Sequence, residues 1–238
     1  MPLQIETILC RAGKMDNYSY IITDEQTGTT AILDPSEAAP IITKLEQLKL
    51  KPQYIFNTHH HFDHTDDNLT LKEKYGALVV ANQQDNARIP GFDIGVENNK
   101  TFHLGNSIAQ IIDASAHTQG HILWYFPEAK ALFTGDTLFN LCIGGLFEGS
   151  PQQMFAVLQK IKQLPDDTLF YPGHEYTPHG AHDAFVFNNR NQDIQNYLAK
   201  AKASLEQGLP AGPFTLAEEK RCNPYLQAQS LSDFKKLF

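Results

Sequence analysis

Residues 58–64 read Thr-His-His-His-Phe-Asp-His, and this run constrains the chain more than any other stretch. It holds four potential metal ligands, His59, His61, Asp63 and His64, in a segment too short to form one helix face. Alternate side chains of an extended segment point to the same side, so His59 and His61 are placed to reach one ion. Asp63 and His64 follow at a turn, where they are placed for a second ion beside the first. Imidazole and carboxylate ligands without a thiolate favour a catalytic site for zinc, iron or manganese over a closed structural zinc site.

The same run has a plainer interpretation, as a polar, solvated turn or an adventitious metal binder. That interpretation does not explain why ligand-type residues recur downstream inside glycine-containing turns. In residues 116–121 we predict His117, which lies in the turn, as a ligand. His121 opens a strand, and we predict that it orients a ligand from behind. His174 comes just beyond a strand end, after Gly173, and is a further candidate ligand.

Asp136 stands at the end of another strand, directly after Gly135. A carboxylate has two oxygens and is the group able to bridge two cations. In isolation Asp136 is equally compatible with an Asx turn. Beside the other ligand-bearing turns, we favour the bridging ligand.

Composition excludes several classes of protein. The 238 residues contain 19 Lys+Arg and 27 Asp+Glu, a formal charge of −8, and such a surface repels a nucleic-acid backbone. The three cysteines, Cys10, Cys142 and Cys222, are widely separated and form no CxxC pair, so we expect neither a disulfide framework nor a zinc knuckle. The N-terminus does not resemble a signal peptide, and no apolar run approaches the ~18 residues of a membrane helix. We therefore expect a cytoplasmic monomer that binds neither nucleic acid nor membrane.

Hydrophobic patterning predicts two β-rich blocks with intervening helices, that is, two sheets packed face to face with helices outside. The first block begins with a hairpin before residue 34 and continues with strands near residues 53–57 and 78–81. Residues 82–100 are interpreted as a loop without assignable chemistry. The second block has strands near residues 101–103, 107–113, 121–126, 131–134 and 168–171.

One helix in the second block has a clear start signal. Ser150 is the predicted N-cap, Pro151 takes the first helical position, and Gln153 completes a capping box. From His179 onward the chain reads as helical, and no strand pattern returns before Phe238. We therefore predict a catalytic domain in residues 1–176 and a small helical domain in residues 177–238.

These residues and their spacing resemble the metallo-β-lactamase superfamily and, within it, the glyoxalase II or hydroxyacylglutathione hydrolase family. The superfamily's HxHxDH signature matches residues 59–64, and its later ligands match His117, Asp136 and His174. The narrower family is indicated by further matching runs, which are Gly135-Asp136-Thr137-Leu138-Phe139, Phe147-Glu148-Gly149, Gly173-His174-Glu175-Tyr176-Thr177, and Thr-Leu-Ala-Glu-Glu at 215–219 with Asn223-Pro224.

The resemblance implies an α+β fold, an αββα sandwich followed by a small α-helical domain that helps to hold glutathione. It also implies two divalent metal ions, zinc or alternatively iron or manganese, and a ligand set for each. In that scheme His59, His61 and His117 bind one ion, Asp63, His64 and His174 bind the other, and Asp136 bridges them.

The implied reaction is hydrolysis of S-D-lactoylglutathione to D-lactate and glutathione, in methylglyoxal detoxification. Two cations bring the pKa of a bridging water from 15.7 to nearer 7, and the resulting hydroxide attacks the thioester carbonyl. Asp136 holds the two ions together in this scheme, and Asp63 orients the hydroxide or accepts its proton. No serine or cysteine nucleophile is required.

The resemblance also implies substrate contacts, and here the chain departs from the family pattern. Tyr176 matches its family counterpart, but Gly145 and Phe147 stand where the family commonly has a basic residue and a tyrosine. In the C-terminal tail, the usual Arg and Lys become Ser232 and Lys235. The expected substrate-binding residues are thus Tyr176, Phe147 and Lys235. Each lost charge-assisted contact removes roughly 1.5–3 kcal/mol of potential binding.

Three alternatives stay open on the sequence. The first is a broader thioesterase or lactonase on the same scaffold, which the altered glutathione contacts favour. The second is a persulfide dioxygenase with a single iron, a relative whose marks are oxygen consumption and a shorter C-terminal region. The third is a metal-binding module without activity, which a complete ligand set argues against.

Overall fold

The computed structural model describes residues 3–188 and 190–238. Its first sheet has six strands, which neighbour one another in chain order: β1 (Leu3–Cys10), β2 (Asn17–Asp24), β3 (Thr30–Leu33), β4 (Tyr54–Phe56), β5 (Leu78–Asn82) and β6 (Phe92–Val96). The first three strands are antiparallel, and β3 to β6 run parallel. Parallel neighbours need crossover connections. Helix α1 (Ala38–Leu48) connects β3 to β4, the short α2 (Phe62–Thr65) and α3 (Asn68–Tyr75) connect β4 to β5, and a segment with a single 3-10 turn connects β5 to β6.

The second sheet also has six strands, in the spatial order β14-β13-β10-β9-β8-β7. They are β7 (Thr101–Leu104), β8 (Ser107–Asp113), β9 (Ile122–Phe126), β10 (Ala131–Gly135), β13 (Leu169–Pro172) and β14 (Phe214–Thr215). All pairs are antiparallel except β10 with β13, whose crossover contains the hairpin β11 (Leu138–Phe139) and β12 (Cys142–Ile143) and the helix α4 (Pro151–Lys162). Helix α4 starts with the predicted capping box, since Ser150 Oγ accepts from Gln153 N at 3.3 Å and Gln153 Oε1 accepts from Ser150 N at 3.0 Å.

The two sheets bury a shared core between their inner faces. Phe56 of the first sheet stacks on Trp124 of the second, with ring centroids 4.1 Å apart and planes at 6°. The outer face of the first sheet packs on α1 and α3 through residues such as Ile41 and Leu71. The outer face of the second packs on α4 and on the C-terminal helices. The layers therefore run helix, sheet, sheet, helix, and the predicted α+β sandwich is confirmed.

The C-terminal region contains five helices among the described residues: α5 (Thr177–Asn188), α6 (Gln192–Leu205), α7 (Leu216–Cys222), α8 (Pro224–Gln227) and α9 (Leu231–Lys235). The prediction that no strand returns in this region was wrong, because β14 adds to the edge of the second sheet, where Phe214 pairs with Phe170. Two residues are too few to show a strand periodicity, so the pattern could not be read.

The interpretation of residues 82–100 as a loop was also wrong. A 3-10 turn at Gln83–Asp85 and the strand β6 lie there, and β6 closes the edge of the first sheet. Pro90-Gly91 and the nearby asparagines gave strong turn signals, and the glycine at position 95 is a poor strand former between Ile94 and Val96. A half-exposed edge strand carries little hydrophobic signal of its own.

The three cysteines are free thiols, as predicted, and all are buried. The side chain of Cys10, at the end of β1, packs in the core between the first sheet and its helices, whereas Cys142 and Cys222 pack in the core outside the second sheet. No helix within residues 3–188 and 190–238 is long and apolar enough to cross a bilayer.

Candidate metal centre

The predicted ligands converge because the loops that carry them leave neighbouring strands on one side of the sandwich. His59 and His61 follow β4, and Asp63 and His64 lie in the short helix α2 directly after them. The other loops follow strands of the second sheet and are the turn between β8 and β9 with His117, the end of β10 with Asp136, and the end of β13 with His174. Ligands placed just past strand ends are held on rigid supports.

The side chains form two clusters. In the first, one ligand atom each from His59, His61 and His117 lies within 4.8 Å of the others. In the second, the same holds for Asp63, His64 and His174. Those are the two groups that the resemblance implied.

Asp136 lies between the clusters. Its Oδ2 is 3.5 Å from His117 Nε2 in the first cluster and 3.3 Å from His174 Nε2 in the second, and its Oδ1 is 3.2 Å from His64 Nε2. Gly135 makes this approach possible: its φ is +46°, and a Cβ there would lie 2.5 Å from Thr58 Oγ1. The carboxylate therefore stands where a bridging ligand has to stand.

Hydrogen bonds from behind fix the orientation of three histidine rings. The outer nitrogens of His117 and His174 face the carbonyl oxygens of Gly145 and Met15, both at 2.7 Å. His59 Nδ1 lies 2.9 Å from Thr58 Oγ1 in the same way. A ring that donates through its outer N–H presents the other nitrogen as a lone pair to the site.

His121 lies behind the ligands, as predicted. Its ring stacks on His59 with centroids 4.8 Å apart, and its Nε2 accepts the backbone N–H of Asp136 at 3.1 Å. Through that hydrogen bond His121 holds the Asp136 loop, which is compatible with the predicted role of orienting a ligand from behind.

Two supporting residues escaped the sequence analysis. Asp34, just past β3, accepts from Thr58 N and Oγ1 at 2.8 and 2.6 Å and faces His64 Nδ1 at 3.1 Å. Asn17, at the start of β2, donates to Asp63 Oδ2 at 2.8 Å. Asp34 carries the same sequence signal as the ligands, a carboxylate directly after a buried strand. Asn17 carried no signal, because its partner lies far along the chain.

The charges of the site are strongly coupled. Burial disfavours the charged form of His64 and His174, but the carboxylate of Asp136 outweighs it, raising the pKa of His64 well above its ordinary value and that of His174 to about 9. Burial alone would raise the pKa of Asp136, but His64 and His174 hold it well below its usual range. In the first cluster burial lowers the pKa of His59 far below the ordinary value and that of His61 to about 4. Protons and cations compete for these atoms, so acid weakens metal binding.

The residues present fit divalent cations. His59 Nε2 is buried at the centre of the first cluster without a hydrogen-bond partner in the described part of the chain. His117 Nε2 and His61 Nδ1 face each other at 3.0 Å, as do the Nε2 atoms of His64 and His174 at 3.2 Å. Buried nitrogens that converge on one point without donors between them suit a cation, and the N/O donor set suits zinc, iron or manganese.

A cavity of about 380 Å³ opens onto the clusters. Beyond the ligand side chains its walls are mainly apolar, and are formed by Met15, Phe62, Phe139, Gly145, Phe147 and Tyr176. Phe147 is 73% exposed and meets the rings of His61 and His117 edge-on, and Tyr176 stacks on His174 at 4.6 Å. The structure thus brings Tyr176 and Phe147 to the site.

Lys235 is not brought there. It is exposed at the end of α9, a helix that packs on α4, and neither it nor Ser232 lines the cavity. No Lys or Arg is among the residues that line it in the described ranges.

Comparison with known proteins gives two family matches that together cover most of the chain. Residues 12–174 match the metallo-β-lactamase superfamily, and residues 175–236 match the hydroxyacylglutathione hydrolase C-terminus. A hydroxyacylglutathione hydrolase of Pelagibacter ubique is 41% identical over 99% of this chain and 97% of its own length. One of Ruegeria pomeroyi is 40% identical over 96% of this chain and 88% of its own.

Solved structures share the fold. ETHE1 from Myxococcus xanthus superposes with a TM-score of 0.74 at 24% identity, covering 97% of this chain and 88% of that one. A metallo-β-lactamase from Staphylococcus aureus gives a TM-score of 0.75 at 20% identity, covering 99% of this chain and 66% of that one.

Proposed function

Because this chain belongs to the metallo-β-lactamase superfamily and, within it, to the hydroxyacylglutathione hydrolase family, we propose that it hydrolyses S-D-lactoylglutathione to D-lactate and glutathione. The observation that carries the proposal is the complete set of seven ligand-type side chains in two clusters that share Asp136, with members of both clusters lining one cavity. A ligand set with a member missing would have indicated a module that has lost its chemistry.

We propose that His59, His61 and His117 hold one divalent cation, that Asp63, His64 and His174 hold the other, and that Asp136 bridges them. Zinc is the first candidate, with iron or manganese as alternatives. When bound, two such cations supply the acidity that makes water a nucleophile at neutral pH and the positive charge that stabilises a carbonyl oxyanion.

Asp63 is the proposed proton acceptor of the reaction. Its carboxylate lines the cavity, and Asn17 Nδ2 fixes its orientation through Oδ2. Burial would raise the pKa of Asp63, but the hydrogen bond from His174 and the charge of His64 hold it below the usual range, so the group is an ionised acceptor at neutral pH. Water adds its oxygen to the carbonyl carbon, its proton passes to Asp63, the C–S bond breaks, and the sulfur leaves with the bonding electron pair.

Tyr176 and Phe147 are the proposed substrate contacts. Burial raises the pKa of Tyr176 to about 12, so its hydroxyl keeps its proton at neutral pH and remains a hydrogen-bond donor. Phe147 supplies an apolar face beside His61 and His117 and keeps bulk water from the reacting carbon. Lys235 stays a sequence-based prediction, since reaching the cavity requires the tail to move.

A second candidate is a broader thioesterase. It is favoured by the walls of the cavity, which offer no Lys or Arg within the described ranges to the two carboxylates of glutathione. We further propose that the protein works as a cytoplasmic monomer on small molecules, which suits the three buried free thiols.

The test compares two thioesters. Purified protein of known metal content is given S-D-lactoylglutathione and, separately, the lactoyl thioester of a small neutral thiol. We expect a kcat/KM for the glutathione ester at least about tenfold higher, which corresponds to about 1.4 kcal/mol of contacts to the tripeptide. Equal rates would make the protein a broader thioesterase. Oxygen consumption on glutathione persulfide with one iron and no hydrolysis would contradict both hydrolase candidates.

A further inference from the structure

A cluster of four charged or ionisable side chains lies behind the metal centre, outside the cavity. It consists of His60, Asp85, Arg88 and Glu148, and we call it the Arg88 cluster. Arg88 bridges the two carboxylates: its Nε donates to Asp85 Oδ1 at 3.0 Å and its NH1 to Glu148 Oε1 at 2.7 Å. The ring nitrogens of His60 lie 3.6 Å from each of those carboxylates. Asp85 is fully buried, so its charge depends on these partners.

Both carboxylates of the Arg88 cluster contact the loop that carries His117. Glu148 Oε2 accepts the backbone N–H of Gln119 at 2.7 Å, and Glu148 N donates to His117 O at 3.2 Å. Asp85 packs against Gly120 so closely that a Cβ on that glycine would lie 2.1 Å from Asp85 Oδ1. The segment before and after His117 is therefore held from two directions.

His60 extends the same support to the other two ligands of the first cluster. It stands between His59 and His61 in the chain, and its side chain points into the Arg88 cluster, with Nε2 3.3 Å from Arg88 NH1. The backbone that carries His59 and His61 is thus in contact with the Arg88 cluster through His60.

The second cluster is held by different residues. His64 Nδ1 faces the carboxylate of Asp34, and Asp63 accepts a hydrogen bond from Asn17. The outer nitrogen of His174 faces the carbonyl oxygen of Met15. None of these three belongs to the Arg88 cluster. The two ligand clusters share Asp136 in front, and behind them Asp34 reaches His64 directly and His59 through Thr58. The contacts of the Arg88 cluster, in contrast, go to the first cluster alone.

We propose that Arg88 is a positioning residue for one of the two cations, the one that His59, His61 and His117 would hold, and that loss of Arg88 weakens this site and not the other. The inference rests on the proposed metal centre and deepens it. It also gives a role to residues 82–90, for which the sequence pattern indicated none. These residues carry Arg88, whose cluster joins the loops of His60, Gln119 and Glu148 around the first ligand cluster.

The test measures zinc affinity in backgrounds that keep a single cluster. His174→Ala damages the second cluster and leaves the first, and His61→Ala does the reverse. Arg88→Met is then added to each, and the zinc dissociation constant is measured by competition with a chelator. Arg221→Met is the matched control, because Arg221 pairs with Asp193 on the helical region at 3.6 Å and lies outside both supports.

With His174→Ala we expect Arg88→Met to weaken zinc binding by about 10–100-fold, the usual effect of losing a residue that orients ligands. With His61→Ala we expect no change beyond that of Arg221→Met. Equal weakening in both backgrounds, or none in either, would overturn the inference. A wild-type protein that binds fewer than two equivalents of zinc would instead contradict the metal centre itself.

Arg88→Met leaves the Asp85 carboxylate buried without its main partner, so folding has to be checked by thermal unfolding. If that variant does not fold, Glu148→Gln serves in its place, because the amide keeps the shape of the side chain while removing one charge of the cluster. It should show the same dependence on background with a smaller loss of affinity. Zinc affinity needs no substrate, so the result stands apart from whether lactoylglutathione is hydrolysed.

Discussion

A single carboxylate makes the two ligand clusters one site. Asp136 is 6% exposed, its two oxygens reach histidines of both clusters, and its backbone N–H is held by His121. No other acidic side chain in the described residues lies within 4.0 Å of histidines from both clusters, so no neighbour can replace it.

Replacing this carboxylate should therefore affect both ions. We expect Asp136→Ala to lose bound metal and to reduce kcat/KM by more than about 100-fold, beyond the loss caused by removing an outer support. Metal content by elemental analysis and steady-state hydrolysis measure the two effects. A variant that stayed fully active with two metals bound would show that the bridging assignment is wrong.

At the residue scale, the sequence supplied the ligand types because the motif packs several of them into a few positions. His59 and His61 could be paired from extended-strand geometry alone. Asp34 could have been included on the same strand-end signal, although its contact with His64 appears only in the fold. Asn17 could not be found, because its residue type is common at strand ends and what makes it important is contact with Asp63 across the fold.

The hairpin of β11 and β12 connects the C-terminal helices to the site. It carries Phe139 to the cavity wall, and from behind it is held by α7, where the carboxylate of Glu219 accepts Leu141 N at 3.2 Å and Asn223 Nδ2 donates to Cys142 O at 3.1 Å. Glu219 is fully buried. Helix α7 carries no predicted metal ligand, but through this hairpin it helps to shape the wall of the cavity.

Glu219 should also make stability depend on pH. Burial raises its pKa to about 7 from an ordinary value of 4.5, against the hydrogen bonds from Asn223 and Leu141 that favour the charged form. Between those pH values the unfolded chain releases this proton and the folded chain keeps it. The stabilising contribution is therefore complete below pH 4.5 and is lost as the pH rises through about 7.

Glu219→Gln removes that titration. We expect the free energy of unfolding of the variant, relative to wild type, to improve between pH 4.5 and 8 by on the order of 3 kcal/mol. Denaturant unfolding at matched metal content measures the difference, and effects of pH on metal binding cancel in it. A difference that stays constant across this range would show that Glu219 titrates normally in the folded protein.

Elements with strong periodicity or clear caps were predictable, as α4 shows with Ser150 and Gln153. The edge elements β6 and β14 were not, for opposite reasons. In β6 glycine and nearby turn residues masked a five-residue strand, whereas β14 is only two residues long and is set in place by its partner Phe170. Pairing across the fold, not local preference, creates such strands.

At the scale of the whole molecule, the helical tail and the second sheet form one core. Phe214 pairs beside Phe170 in the sheet and stacks on Tyr197 of α6 with ring centroids 3.7 Å apart. A single cluster of buried side chains runs from β9 and β10 through α4 into α7 and α9. The division at residue 176 predicted from the sequence therefore separates segments that share their interior.

Removing residues 177–238 tests that division. We expect the 1–176 fragment to lose cooperative thermal unfolding and to aggregate, since it exposes the outer face of the second sheet and the edge of β13. Calorimetry and near-UV circular dichroism compare the fragment with the full chain, for which one transition is expected. A fragment that melts cooperatively with native-like dichroism would show that the first 176 residues fold as an independent domain.

The three buried cysteines can report how often the structure around them opens locally. Burial raises the pKa of all three thiols, that of Cys222 to about 12, so a thiol reagent reaches them only when the surrounding structure opens. Cys10 reports on one outer layer and Cys222 on the other. The alkylation rates of Cys10 and Cys222 therefore measure local opening of the two outer layers of the molecule separately.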